Sequence, residues 1–418
     1  MTGTMTRDPV ALGWLGIKAL SNAGDALWTV ALAWTAVHVA SPAVAGLVVA
    51  AGTIPRAVVL LLGGVVADRR EPRLVMLVVN VVRVAVLVAT ALWVVVAGTT
   101  LPVLVVAAVA FGLCDALYEP SAATISRQLV PAEQLAAYTG ASQTAIRLGS
   151  MAGAALGGVV VAAWGLGGSA VANAVTFAVV VGYLALVLRP RYPLPRAEAE
   201  PVLRGVARGF GHLRDEPTTR TLVLALSGLN LAVSPALALG VALRAQDEGW
   251  GAGAVGGLQA LVALGAAVGA LSLLRWRPAH EAVVGFWLLV LQGLAIVGIG
   301  YGSLATTAIA VAVVGVSAGA ASSLLGAVFM ASIDGAYLGR MTSILRLGDD
   351  VLMPAAMAGF GALAAAYGVG LACAAYGLAM AVLMSVPLSR PAIRRLSLSS
   401  GVDTPAAQDG QAAATLEA

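Results

Sequence analysis

Long apolar runs separated by short polar turns repeat along the whole chain. A membrane-spanning helix needs about 20 mostly apolar residues. Windows of that kind fall at roughly 12–38, 43–66, 73–97, 101–124, 138–163 and 168–188, and again at 220–243, 252–274, 281–300, 304–330, 342–366 and 369–388. The pattern predicts an all-α polytopic membrane protein of twelve transmembrane helices in two six-helix bundles. The first run is too long for a cleaved signal and is followed by equally apolar ones, so it is expected to be a retained helix.

Polar positions then divide the runs. One long polar connection, Arg189 to Thr219, opens Arg-Pro-Arg-Tyr-Pro-Leu-Pro-Arg and separates an N-terminal bundle at 1–188 from a C-terminal bundle at 220–390. Within this basic linker of 189–219, Val202, Leu203, Val206, Phe210 and Leu213 recur at helical spacing, with Arg204 and Arg208 on another side. That spacing predicts a short amphipathic helix along the membrane surface. Residues 391–418 have no apolar face and are expected to be a disordered tail. The halves also echo one another: Ala137-Tyr138 precedes Arg147-Leu148-Gly149 by the interval at which Ala336-Tyr337 precedes Arg346-Leu347-Gly348. Such an echo fits parallel repeats about an axis along the membrane normal.

Composition agrees with this picture. The 418 residues are 60% hydrophobic and 11% charged, with a mean hydropathy of +0.94. Connections after even-numbered runs carry Arg69, Arg70, Arg73, Arg127, Arg275, Arg277 and Arg340, whereas the opposite ones carry only Arg244. The even loops and both termini are therefore expected in the cytoplasm. Ala, Val, Gly and Arg abound while Lys18 stands alone, which suggests GC-rich coding and a bacterial inner membrane.

Several activities are excluded. The net charge of +4 forms no basic patch interleaved with aromatics, so nucleic acid is not a partner. His38, His212 and His280 fall at loops or helix ends without a partner constellation, and Cys114 and Cys373 sit inside apolar runs, so no metal site and no enzyme are indicated. No Gly-x-x-x-x-Gly-Lys-Ser/Thr loop is present for a nucleotide.

Charges retained inside apolar runs are candidates for function, because each costs several kcal/mol in hydrocarbon. They are Asp25 on the first helix, Arg56 on the second, Arg83 on the third, Asp115 and Glu119 on the fourth and Arg147 on the fifth, with Arg346, Asp349 and Asp350 on the eleventh. Paired networks are expected, since an isolated ion is worse than a pair. Lys18 is expected to snorkel toward the near surface.

Between the second and third helices stands Gly64-x-x-x-Asp68-Arg69-x-x-x-Arg73. With six plus six helices and a basic central loop, this resembles the signature turn of the major facilitator superfamily, although Glu71 and Pro72 replace its second glycine and a basic residue. Ser21-Asn22-Ala23-Gly24-Asp25-Ala26-Leu27, Pro55-Arg56 and Glu119-Pro120-Ser121-Ala122-Ala123 resemble the branch with macrolide and enterobactin exporters. Gly149, Gly153, Gly157 and Gly158 are similar to the antiporter motif without its Gly-Pro step.

The resemblance implies a secondary transporter working by alternating access, a proton-coupled antiporter exporting small hydrophobic or amphipathic compounds. It implies no cofactor beyond the proton gradient, and the lipid bilayer, protons, the substrate and a monomeric chain as the partners. Alternatives are a proton-coupled importer or lysolipid flippase of the same fold, or a non-transporting membrane sensor. In the exporter reading Asp25, or else Asp115, carries the proton, and Arg56 or Arg147 competes for the carboxylate. Gly64, Asp68, Arg69 and Arg73 form a conformational gate, with Asp68 meeting the start of the eleventh helix near Gly339. Trp28, Trp34, Phe111 and Tyr118, with Asn230, Gln259 and Gln292 opposite, are expected to line the substrate cavity between the halves.

Overall fold

The computed structural model describes residues 8–53, 71–131, 134–192, 211–273, 275–276, 278–333, 335–394 and 396. Among them the chain is helical throughout, with no strand. The first helices are α1 (Pro9–Val39), α2 (Pro42–Thr53, as far as described), α3 (Pro72–Ala97) and α4 (Leu101–Leu129). The stretch Leu135–Leu186 bends at Gly165 into α5 (135–164) and α6 (166–186). In the second half come α7 (Pro217–Asp247), α8 (Ala252–Ser272), α9 (Glu281–Ile299), α10 (Leu304–Ser332), α11 (Gly335–Tyr367) and α12 (Val369–Leu388).

Eight of these helical stretches are long and apolar enough to cross a membrane. The stretch broken at Gly165 is one of the eight, and there the backbone turns at φ 61° and ψ −160°, a conformation that excludes a side chain. α1 falls short of that apolar threshold because Asn22, Asp25 and its Trp and Thr residues dilute it. α11 begins at Gly335, a full turn or more before its apolar run at 342, since its first two turns are polar. Gly339 therefore lies inside the helix rather than at its start.

Helices within each half pack mainly on one another: α1 on α5 and α6, α3 on α4 and α6, and in the second half α8 on α10, α9 on α10 and α12, and α7 on α11 and α12. Small residues let these backbones approach, the usual means of association where lipid removes the hydrophobic driving force. Gly149, Gly153 and Gly157 of α5 lie against the backbone of Ala19, Ala23 and Leu27 of α1. The second half repeats the device where Gly315 and Gly319 of α10 meet Val262 and Ala266 of α8.

Among the described residues the halves meet where α1 touches α7 and α8, and most closely at two glycine crossings. Gly158 of α5 faces Gly256 of α8, where a Cβ on either would lie 2.7 Å from the other's Cα. Gly46 of α2 faces Gly361 of α11, with a corresponding separation of 3.0 Å. Because successive helices alternate in direction, all four glycines lie at the end of the bundle where α1 finishes. We call this the far end, and the end where α1 begins the near end.

At the near end, a polar clasp ties four helix termini together. Asp8 caps α1 through the amides of Val10 and Ala11 at 3.0 and 3.3 Å and pairs with Arg191 beyond α6. Arg73, at the start of α3, donates to the Leu184 and Ala185 carbonyls at the end of α6, at 2.8 and 3.0 Å. A cation there neutralises the negative end of the helix. The Arg191 and Tyr192 amides reach back to the Gln128 carbonyl of α4 at 2.9 and 3.0 Å. Of the linker, 211–215 are helical, with Leu213 buried and His212 stacked on Tyr337 of α11 at 4.2 Å; residues 193–210, which hold the rest of the expected amphipathic helix, lie outside the described residues.

Two outcomes follow for stability. Gly158→Ala and Gly46→Ala force backbones apart and should each cost about 1–3 kcal/mol, seen as a lower thermal midpoint in detergent. Gly253→Ala, where a Cβ meets open space, should leave the midpoint unchanged. For Asp8, burial alone would raise the carboxyl, but Arg191 and the two capping amides outweigh it and hold it below the ordinary 3.8. A depressed folded-state value stabilises above the unfolded value and is lost as pH falls through the folded one. The midpoint difference between wild type and Asp8→Asn should therefore be present at pH 7 and be lost as pH falls below 3.8 and through the depressed value of the folded carboxyl.

Candidate functional site

Between the halves lies a cavity of about 620 Å³. Its walls come from α1, α2, α4, α5, α7, α8 and α11. Most of the lining is aliphatic, including Val30, Leu32, Val49, Val233, Leu237, Val255, Val262 and Met357. Polar groups enter at a few places: Asn22, Asp25 and Thr29 of α1, Thr53 of α2, Asp115 of α4, Ser150 of α5, Ser234 of α7 and Gln259 of α8. An apolar chamber with a few oriented polar groups is the usual form of a small-molecule site.

Behind the α1 and α4 wall lies the most unusual group in the molecule. Arg83 of α3 is 1% exposed. Its guanidinium pairs with Asp115 and feels the charge of Asp25 as well. Its planar face lies 4.9 Å from the ring centroids of Tyr118 and Phe177, and Phe111 stands at 6.0 Å. Aromatic faces attract a guanidinium and replace part of its lost hydration. The Asn80 carbonyl at 3.5 Å adds little, and Nε has no partner among the described residues. One acid on the cavity wall thus pairs with the arginine in the core, and a second lies within the reach of its charge.

The expected cavity residues separate into two groups. Trp28, Phe111 and Gln259 line the chamber. Trp28 and Phe111 stack at 5.4 Å but are only 3% and 7% exposed, so they stiffen the wall instead of offering an open ring face. Tyr118 covers Arg83, and Trp34 packs on His38 at 4.1 Å. Gln292 is buried within α9 at 1% exposure, held away from the chamber by its helix face. Asn230 of α7 donates to Asp349 of α11 at 2.7 Å, one turn from Val233 and Ser234 toward the near end.

Among the other charged candidates, Glu119 sits half-buried on α4, within an interaction. Arg147 is exposed on α5, one turn before Ser150 on the same stripe, at the near-end approach to the cavity. Arg346 and Asp350 lie on α11, where only their backbone is described. Arg56, Gly64, Asp68 and Arg69 lie outside the described residues; of the expected gate, only Arg73 is placed, on the end of α6. Lys18, which was expected to reach for the near surface, donates from Nζ to Ser126 of α4 and Ser142 of α5, both at 3.0 Å, and so ties three helices together.

Two participants were not singled out in the sequence, Phe177 and Asn173 on α6. Asn173 is fully buried against Gly24, the residue before Asp25, and its Nδ2 has no partner among the described residues. A polar residue in the middle of the apolar run Val171 to Val175 was the available signal.

Comparison with known proteins places this geometry. The family profile of the Major Facilitator Superfamily matches residues 15–357. No curated protein matches the sequence closely enough to argue from. Among solved structures, the nucleoside transporter NupG superposes with a TM-score of 0.68 at 14% identity, covering 91% of this chain and 99% of that one. A D-xylose–proton symporter gives 0.69 at 13% identity, covering 90% and 96%. A bacterial homologue of the human lysosomal transporter Spinster, inward-facing and unoccupied, gives 0.63 at 15% identity, covering 92% and 94%. Identities this low speak for the fold alone. With the profile spanning most of its length, the chain belongs to the Major Facilitator Superfamily and is a multi-pass membrane transporter of a small molecule.

Proposed function

We propose that the chain is a proton-coupled antiporter that exports small hydrophobic or amphipathic compounds. The observation that carries the reading is the buried guanidinium of Arg83, paired with the cavity carboxylate Asp115 and within reach of the charge of a second one, Asp25. A proton on Asp25, the first candidate, or on Asp115 cancels one of the two charges that act on Arg83 and leaves the guanidinium to the other acid; loss of that proton reverses the exchange. A carboxylate whose protonation reassigns a buried ion pair across α1, α3 and α4 links proton binding to the cavity wall. The mostly aliphatic chamber suits a greasy occupant of drug size. That a neighbour of the same fold is described as a proton symporter is compatible with proton coupling and leaves direction open.

The remaining assignments belong to the same proposal. The arginine distribution supports cytoplasmic termini, and the residue usage favours a bacterial plasma membrane. On that orientation the glycine crossings lie toward the outer side, and Arg147 lies on the inner side of the cavity. The chain divides into 1–188 and 220–390 about the linker, acts as a monomer, and uses the turn at Gly64 to Arg73 as its gate. The branch of macrolide and enterobactin exporters is the expected neighbourhood within the family.

Vesicles reconstituted with the purified chain test the reading directly. Ethidium and erythromycin should move against their gradients when an inward proton gradient is imposed, and should stop when it is collapsed. Movement down the proton gradient in the same direction as the proton would make the protein an importer and overturn the export assignment. Asp25→Asn and Asp115→Asn should each abolish proton-driven flux; coupling that survives both removes the acids from the mechanism. The double variant Asp25→Asn with Asp115→Asn strands a buried charge and should cost about 3–5 kcal/mol, more than either single change. Replacing both partners, Arg83→Leu with Asp115→Leu, should recover most of that stability and none of the transport.

A further inference from the structure

α7 is not one regular helix. Pro235 has no amide hydrogen to donate, and the next five residues, Ala236–Gly240, form a π-turn that closes with a bond from the Val241 amide to the Ala236 carbonyl. A π-turn widens the helix and takes its carbonyls out of the four-residue register. Inside this turn, the Leu237 carbonyl accepts a hydrogen bond from Gln259 Nε2 of α8 at 2.5 Å. Leu237, Ala238 and Gln259 all line the cavity. On the opposite side the turn is backed by the core, where Gly240 lies against Phe360 and Cys373.

The distortion is therefore held from both sides, by packing behind and by one carboxamide in front. Only the front contact is a directed polar bond, and it comes from a residue that any occupant of the chamber meets. Beyond the turn, α7 continues through Val241–Asp247 to the far end, where Arg244 donates to the Gly302 carbonyl at 2.8 Å and pairs with Glu248. A change in the turn re-aims that last segment. Loss of the Gln259 bond favours rewinding to four-residue spacing, which shifts every later residue of α7 around its axis.

We propose that Gln259 is a positioning residue that latches the π-turn of α7, so that the cavity wall sets the shape of that helix. The inference rests on the transporter reading for its meaning in the cycle, but the latch itself is tested without any substrate.

The measurement is amide hydrogen exchange of the full-length protein in vesicles, read as protection factors over residues 236–242, with residues 369–388 of α12 as an internal reference. Gln259→Leu removes the donor and should lower protection over 236–242 by about fivefold, the worth of one ordinary hydrogen bond, and leave α12 unchanged. Gln259→Glu keeps the shape and makes the donor depend on a proton. At pH 3.5, below the ordinary glutamate value of about 4.3, the neutral carboxyl donates to Leu237 and protection should match wild type at that pH; at pH 8 the carboxylate faces the carbonyl and protection should fall as in Gln259→Leu. A purely structural role lowers protection equally at both pH values. That result, or wild-type protection in both variants, overturns the latch. Ethidium flux through the wild-type protein is scored separately, so a failed transporter reading and a failed latch appear in different measurements.

Discussion

A guanidinium sealed in the core of a membrane bundle constrains everything around it. Arg83 cannot release its charge, so three helices must bring it partners: α4 supplies Asp115 and Tyr118, α1 supplies Asp25, and α6 supplies Phe177. These helices hold their places because glycines let α5 lie on α1, which fixes where α1 presents Asp25. A buried ion pair of this kind is a weak source of stability, since desolvation consumes most of the Coulomb gain.

Helix number and placement were legible in the chain because lipid imposes a length and a composition on every crossing. The expected windows agree with α3, α8, α9 and α12 to within about two residues. They fail at the start of α11, where the helix begins at Gly335 in a polar segment that hydropathy reads as a loop. Amide bonds continue a helix whether or not its side chains are greasy, so composition finds membrane depth better than helix ends.

The site was legible in its residues more than in its pairings. Asp25, Asp115 and Arg83 were recognisable as costly charges, but which arginine serves which acid depends on helix rotation, and no local pattern encodes that. Trp34 and Gln292 illustrate the same limit. Each is a plausible cavity residue by type, and each is turned elsewhere by a helix face set through tertiary packing. The π-turn of α7 was equally hidden: Pro235 announces a break, but its form depends on Gln259 from another helix.

The two glycine crossings have a mechanical consequence. Both join the halves at one end, so a tilt of one half about either would have long arms on the other side. From Gly158 back to Leu135, α5 extends about 35 Å at the helical rise. A tilt of roughly 10° about such a pivot displaces the opposite end by about 6 Å over that arm. A contact as small as two Cα atoms can thus govern an aperture wide enough to admit a molecule, and the bulk excluded at one end is repaid as travel at the other.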